Sequence, residues 1–326
     1  MAQEAVPAQV LELAARRSAA RQDRDFATAD ELRAQIGRLG WVVTDSPAGY
    51  VLESAAGESA AGESGRPSAG ERGAVEHPAG SYQVWPDPAA LPAGPVPAAT
   101  RPATVALLVE GWPDDLRDCV AALLAHGPAG VMISALDVGN ADGAGAVLHE
   151  LAVAHPGRIE EWHVAASPGW GAARNALLRA DSAAVHVIME TSAILTGDAI
   201  SPLLAAVAAD GVVAAGWRGA DPDPDLHGFH DAGPGQVTAL LGYLLAVRAD
   251  AAAAAGGLPA RARFYRNADL EFSLRLGRAG RLVVPQEPLP VRQARHRGYH
   301  DSDPDYRDAE SRRNYRRVLE LLRAGA

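Results

Sequence analysis

The stretch TVALLVEGWPDDLRDCVAALLAHGPAGVMISALD (104–137) decides the fold class. It opens on a short apolar run, TVALLVE (104–110), which reads as a buried strand. Pro113 with Asp114 and Asp115 then opens a helix that runs to about His126. Proline suits the first helical turn, and acids there complement the positive end of the helix dipole. GVMISAL (130–136) is a second apolar run, with Asp137 at its carboxyl end. Strand, helix and strand of these lengths make a right-handed βαβ unit. The alternation continues with a helix near Ala144–Ala154 and a strand RIEEWHVAA (158–166). A helix in PGWGAARNALLRAD (168–181) and a strand AVHVIME (184–190) come next, then a helix in 197–210 and a strand GVVAAGW (211–217). An α/β fold with a mostly parallel sheet is predicted. Such sheets bind ligands beyond the carboxyl ends of their strands. Asp137, Ser167–Arg174 and Glu190–Ser192 all fall there.

Working outward, the 326 residues leave room for this domain and a smaller unit. All 30 basic residues are arginine, and the net charge is −10. That balance argues against nucleic-acid binding through a broad basic surface. The charge is uneven, however: residues 261–326 carry 15 arginines against 9 acids. A basic segment on an acidic protein suggests a local anion site; a solvated, arginine-rich terminal helix explains it equally well. The single cysteine, Cys119, excludes a disulfide framework and a multi-cysteine zinc site. No apolar run approaches the ~20 residues of a membrane span. The N-terminus carries an early acid and lacks a secretory apolar region, so a cytoplasmic protein is expected.

Residues 1–53 read as a helical hairpin followed by two short strands around a Ser-Pro-Ala-Gly turn, with Gly40 ending the second helix. Residues 54–103 read as a flexible linker: 28 of the 50 are Pro, Gly or Ala, and SAAGE repeats in tandem over 54–63. Such a segment buries too little apolar surface to offset its ordering entropy. Tyr82, Val84 and Trp85 interrupt it and are candidates to dock on a neighbour.

The hairpin resembles the C-terminal element of cysteinyl-tRNA synthetases, on the strength of Asp25-Phe26-Ala27-Thr28-Ala29-Asp30 with Leu32-Arg33. No synthetase catalytic signature accompanies it, so the resemblance implies a borrowed packing or docking module rather than aminoacylation. RNA association through residues 8–53 is the competing expectation; with 6 arginines against 7 acids the segment lacks a strong phosphate-binding surface.

Most of residues 104–320, within a domain expected over 104–326, resembles family 2 glycosyltransferases of the GT-A fold, a Rossmann-like mixed sheet with flanking helices. GWGAARNALLRAD, VHVIMETSAILTGD, FYRNADLEFSLRLGRAG and SRRNYRRVLELL carry the likeness. It implies an inverting transfer of a sugar from a nucleotide-diphosphate donor to a hydroxyl acceptor. Asp137, Gly169, Gly171, Arg174, Asn175, Glu190, Ser192 and Arg295 would then bind the nucleotide sugar, and Asp269 would be the base that deprotonates the acceptor. Glu190 and His296 would hold a divalent cation, Mg²⁺ or Mn²⁺. Ser192 stands where the family's Asp-x-Asp has its second carboxylate, and a hydroxyl is a poor ligand for a hard cation. The late arginines Arg292, Arg295 and Arg297 are alternative neutralisers of the diphosphate. A non-catalytic sugar-nucleotide or partner-binding module is the alternative function. His227 and His230, within the acid-rich 221–231 stretch, read as a loop rather than a metal site.

Overall fold

The computed structural model describes residues 5–22, 25–46, 49–55, 82–94 and 101–325. The N-terminal unit begins with helices α1 (Ala8–Gln22) and α2 (Phe26–Arg38), packed on each other. Asp25 caps α2 by accepting the Thr28 N–H at 3.1 Å, and Gly40, at φ +79°, turns the chain out of it. Strands β1 (Trp41–Ser46) and β2 (Gly49–Ser54) pair antiparallel, and β3 (Tyr82–Val84) adds to β2. Val10, Leu11, Ile36 and Leu52 form a core shared with Ala146 of the larger domain.

The larger domain runs β4 (Ala103–Val109), α3 (Pro113–His126), β5 (Met132–Val138), α4 (Ala144–Ala154), β6 (Ile159–Val164), α5 (Trp170–Ala180), β7 (Val185–Met189), β8 (Ala193–Leu195), α6 (Ile200–Val207) and β9 (Val212–Gly216). It continues with β10 (Gly219–Pro222), β11 (Phe229–Ala232), β12 (Gly235–Val237), β13 (Ala239–Leu240), β14 (Leu244–Arg248), α7 (Ala249–Ala254), α8 (Ala268–Leu276), β15 (Arg281–Val284), β16 (Val291–Gln293), α9 (Arg297–His300) and α10 (Pro304–Gly325).

Eight strands make the central sheet in the order β12-β15-β9-β14-β7-β4-β5-β6. From β6 to β7 all pairings are parallel. GVVAAGW does not join that run directly: β14 lies between β7 and β9, antiparallel to both. β15 then pairs parallel with β9, and β12 is an antiparallel edge. Alternation along β4 sorts the core into two layers. Val105, Leu107 and Val109 pack with Leu116 of α3, Leu148 of α4 and Leu203 of α6. Ala106 and Leu108 pack with Leu177 of α5, Ala252 of α7 and Phe272 of α8. The sheet is covered on both faces, as its continuous apolar strands require.

The linker expected over 54–103 needs correction in part. Residues 56–81 and 95–100 lie outside the described residues, but 82–94 are packed. Trp85 N–H donates to His163 O, and Ala165 N–H donates to Trp85 O, both at 2.9 Å. The segment 82–85 therefore joins the small sheet through β2 and covers the β6 edge of the large one.

A buried polar chain crosses the same junction. Val6 N–H donates to His149 Nε2 at 3.2 Å, which leaves His149 Nδ1 to donate to Glu161 Oε1 at 2.9 Å. His163 reaches Glu161 Oε2 at 2.9 Å through Nε2, and Asp137 Oδ2 at 3.2 Å and the Tyr82 hydroxyl at 2.9 Å through Nδ1. Burial disfavours a charged His163, but the hydrogen bonds and charges of Asp137 and Glu161 outweigh it and lift the imidazole to about 9. Glu161 answers in kind: burial opposes its ionisation, yet the two histidines hold it at about 2.

Candidate active site

A cleft of about 650 Å³ opens beyond the carboxyl ends of β4 and β7. Its walls come from five separated segments: Glu110–Asp115, Ser167–Gly169, Glu190–Ser192, Arg263–Tyr265 and His296–Gly298. The antiparallel pairing of β8 with β16 brings the last of these beside Glu190–Ser192. Gln293 Nε2 donates to Ser192 Oγ at 2.9 Å, across 101 residues of chain.

Arg174 is fully buried on α5. Its guanidinium donates to Ala106 O (2.8 Å) of β4, to Met189 O (3.1 Å) of β7 and to Glu190 Oε1 (2.9 Å). A buried charge persists only when paired and hydrogen-bonded in this way. It ties the two central strands together and fixes the Glu190 carboxylate at the mouth of the cleft.

The two glycines of the G-x-G-x-x-R-N motif admit protein backbone. A Cβ on Gly171 would stand 2.0 Å from Pro259 O, and one on Gly169 would stand 3.0 Å from Arg263 Cα. Gly171 N–H donates to Ala262 O at 2.8 Å, and Trp170 N–H to Arg263 O at 3.2 Å, so the first turn of α5 is occupied by the 259–263 segment. Asn175 binds Leu258 with both ends of its amide, at 2.8 and 2.9 Å. The motif thus sets the loop that carries Arg263, Phe264 and Tyr265 into the cleft; Gly169 lines the cleft, and Gly171 and Asn175 do not.

Asp137 and Arg295 also stand apart from the cleft lining. The Asp137 carboxylate is 1% exposed, accepts the Asn140 N–H at 3.0 Å and lies in the polar chain beneath the N-terminal unit. Arg295 points to solvent and pairs with Asp301 at 2.5 Å. In this structure the polar atoms of Asp137 are engaged inside the protein, and Arg295 is paired at the surface beside the cleft.

Asp269 lies in the first turn of α8. Its Oδ2 accepts the Gly242 N–H at 2.9 Å, and its Oδ1 the Leu270 N–H at 3.0 Å. Burial pushes the carboxyl up to about 6; the backbone hydrogen bonds resist this, and the charge of Glu190 adds to it. It is not a lining residue, but its charge acts on Tyr265, which lines the cleft, and on Tyr243, raising both hydroxyls together with their burial. His296 stacks on Tyr265 (centroids 4.5 Å, interplanar 16°) and meets Tyr243 edge-on at 5.8 Å. Burial lowers the His296 pKa, so the ring is neutral at pH 7.

Sequence reading missed Glu110, which follows β4 and lines the cleft. The surrounding protein and the nearby Glu190 charge push its carboxyl up to about 7 against the pull of Arg174. It missed Arg263 and Tyr265, brought in by a loop, and Tyr306, on the first turn of α10, because no local pattern marks single residues that the fold carries to a distant cleft.

The donor set fits a divalent cation poorly. Glu190 is already paired with Arg174, the Glu110 carboxyl is pushed up to about 7 by burial and by the Glu190 charge, Ser192 offers a neutral oxygen engaged by Gln293, and His296 is one neutral imidazole. Hard cations take several charged oxygens. Among the described residues no group of three His, Cys, Asp or Glu side chains is placed to hold a metal.

Comparison with solved structures identifies the architecture. The structure of GalNAc-T7 with UDP, GalNAc and Mn²⁺ superposes with a TM-score of 0.54 at 15% identity, over 69% of this chain and 48% of that one. The chain has a glycosyltransferase-like GT-A fold. A mannosyltransferase of Pyrobaculum calidifontis, solved with GDP-Man and Mn²⁺, matches at TM-score 0.49 and 17% identity over 77% of this chain and 79% of that one. Residues 3–49 match the family described as the cysteinyl-tRNA ligase anticodon binding domain. The cysteine–tRNA ligase of Opitutus terrae is 54% identical over 50 residues, which is 15% of this chain and 11% of that protein. The chain therefore spans under half of the GalNAc-T7 chain and a small part of the ligase. Among the described residues no helix is long and apolar enough to cross a membrane.

Proposed function

We propose that the chain is an inverting glycosyltransferase. The donor is a sugar linked to a nucleoside diphosphate, and it lies in the cleft at the ends of β4 and β7. Asp269 takes the proton from an acceptor hydroxyl, and the resulting oxygen nucleophile attacks the anomeric carbon. The bond to the diphosphate breaks on the opposite side, and the nucleoside diphosphate leaves. Ionised Asp269 is the required form, so the base works above its pKa of about 6. Glu190, held by Arg174, orients the donor by accepting hydrogen bonds from its hydroxyls, and Gly169 forms the wall beside it.

One observation carries this reading. What supports it is that Glu190, paired with the buried Arg174, and His296, 106 residues further on, line one cleft at the end of the sheet, with Asp269 buried behind it within reach of the Glu190 charge. The test is release of nucleoside diphosphate from a panel of UDP-, GDP- and dTDP-sugars. Release expected from at least one donor, and lost in Asp269→Asn, supports it; no release and no binding across the panel overturns it. Ser192 favours a second reading, a cleft that binds sugar nucleotides without turning them over. Binding with no release in the same panel would select it. For the N-terminal unit we propose a structural role, because Arg17 is turned inward onto Asp45 (2.6 and 2.7 Å) and the unit is joined to the larger domain by the buried Val6–His149 and Tyr82–His163 hydrogen bonds.

A further inference from the structure

We propose that the cleft binds a nucleoside diphosphate without a divalent cation, with the Arg263 guanidinium supplying the positive charge. This rests on the glycosyltransferase reading above and adds to it the means of meeting the diphosphate.

The argument begins with the donor atoms. A diphosphate entering the cleft carries at least two negative charges, and they need cationic partners. A cation at the Glu190–Ser192 position would find the Glu190 carboxylate already paired with Arg174 at 2.9 Å, and in Glu110 a second carboxyl that its burial in the cleft wall and the Glu190 charge push up to about 7. It would find one hydroxyl, 5% exposed, that accepts from Gln293. The chemistry of that set, rather than its occupancy, is what disfavours Mg²⁺ or Mn²⁺.

The arginines then divide by what they already do. Arg174 is spent on Glu190 and on two strand carbonyls. Arg297 lines the cleft but pairs with Asp115 at 3.2 Å. Arg263 lines the cleft with an exposed side chain, and among the described residues no carboxylate lies in ion-pair distance of it. Its backbone is held in place. Arg263 O accepts the Trp170 N–H, its Cα abuts Gly169, and Asn175 pins Leu258 at the start of the segment. A free guanidinium fork on a fixed backbone is suited to bidentate contact with phosphate oxygens. The sequence motif that resembles a nucleotide-binding signature therefore serves the nucleotide at one remove, by placing this arginine.

The test is calorimetric titration of UDP and GDP into the full chain, once with EDTA and once with Mn²⁺. The expected result is the same affinity within about threefold in both buffers, and a loss of about tenfold or more in Arg263→Ala under EDTA, as for a lost charged hydrogen bond. Arg263→Lys should recover part of it. Unchanged thermal unfolding of the exposed-site variants separates lost binding from lost fold. Binding seen only with Mn²⁺, or an Arg263→Ala affinity equal to the parent's, overturns the proposal while leaving the transferase reading in place. Absence of binding for both nucleotides in both buffers overturns the donor-cleft reading and this proposal together.

Discussion

Asp269 and Glu190 hang from adjacent residues of one turn: the Gly242 N–H donates to Asp269 Oδ2 at 2.9 Å, and the Tyr243 carbonyl accepts the Glu190 N–H at 3.0 Å. The proposed base and the proposed donor-binding residue are thus spaced by two hydrogen bonds to neighbouring main-chain groups, one from the Asp269 carboxylate and one from the Glu190 backbone. Their like charges raise the Asp269 pKa further than burial alone.

Asp269→Asn keeps the size of the side chain and removes the base. Turnover should fall by about 10²–10⁴-fold, the usual worth of general-base catalysis, with nucleotide affinity unchanged. In the parent chain kcat/KM should rise with pH along a limb centred near 6, because only the ionised carboxylate accepts a proton. A flat profile from pH 5 to 7, or an active Asn variant, would remove Asp269 from the mechanism.

Arg174→Leu should leave Glu190 without its partner and two strand carbonyls without a donor. Removing one member of a buried ion pair costs about 3–5 kcal/mol. A drop of that size in chemical denaturation is expected; a parent-like stability would mean that the pair is replaceable by apolar packing.

Gly171→Ala has no room, since the new methyl would meet Pro259 O at 2.0 Å. The 259–263 segment must shift, at a cost of about 1–3 kcal/mol for overpacking. The sharper expectation is functional: nucleotide affinity should weaken although residue 171 does not line the cleft, because Arg263 moves. Equal affinity in a folded Gly171→Ala protein would contradict that coupling.

The junction beneath the N-terminal unit should make stability depend on pH from both sides. His163 is raised from an ordinary 6.5 to about 9, so its contribution is complete below 6.5 and is lost as pH climbs through 9. Glu161 is lowered from 4.5 to about 2, so its contribution is complete above 4.5 and is lost as pH falls through 2. Melting temperature should therefore hold a plateau between about 4.5 and 6.5 from these groups and decline toward 9. His163→Gln should lower the plateau and flatten the alkaline limb; an unaltered limb would assign it to other residues.

The alternation of strands and helices was legible from 104 to 217 because apolar runs and polar helix starts differ in period. β14 was not, since LLGYLLAVR is one apolar run whose pairing with β7 and β9 depends on distant chain. The G-x-G-x-x-R-N motif announced a close approach at its glycines, but a sequence cannot say whether ligand or Pro259 makes it. Asp137 sat at the expected strand end, yet the unit that covers it comes from residues 6 to 84, beyond the reach of local pattern. Glu110 and Arg263 carry no signature at all; only the folded cleft selects them from the many acids and arginines.

Segment 82–85 has a practical corollary for anyone trimming this gene product to its larger half. A version starting at 101 would lose the covering on its outermost strand, and the Glu161–His163 pair would be laid open to water. The bared margin is a template for a second copy, so the shortened product should self-associate.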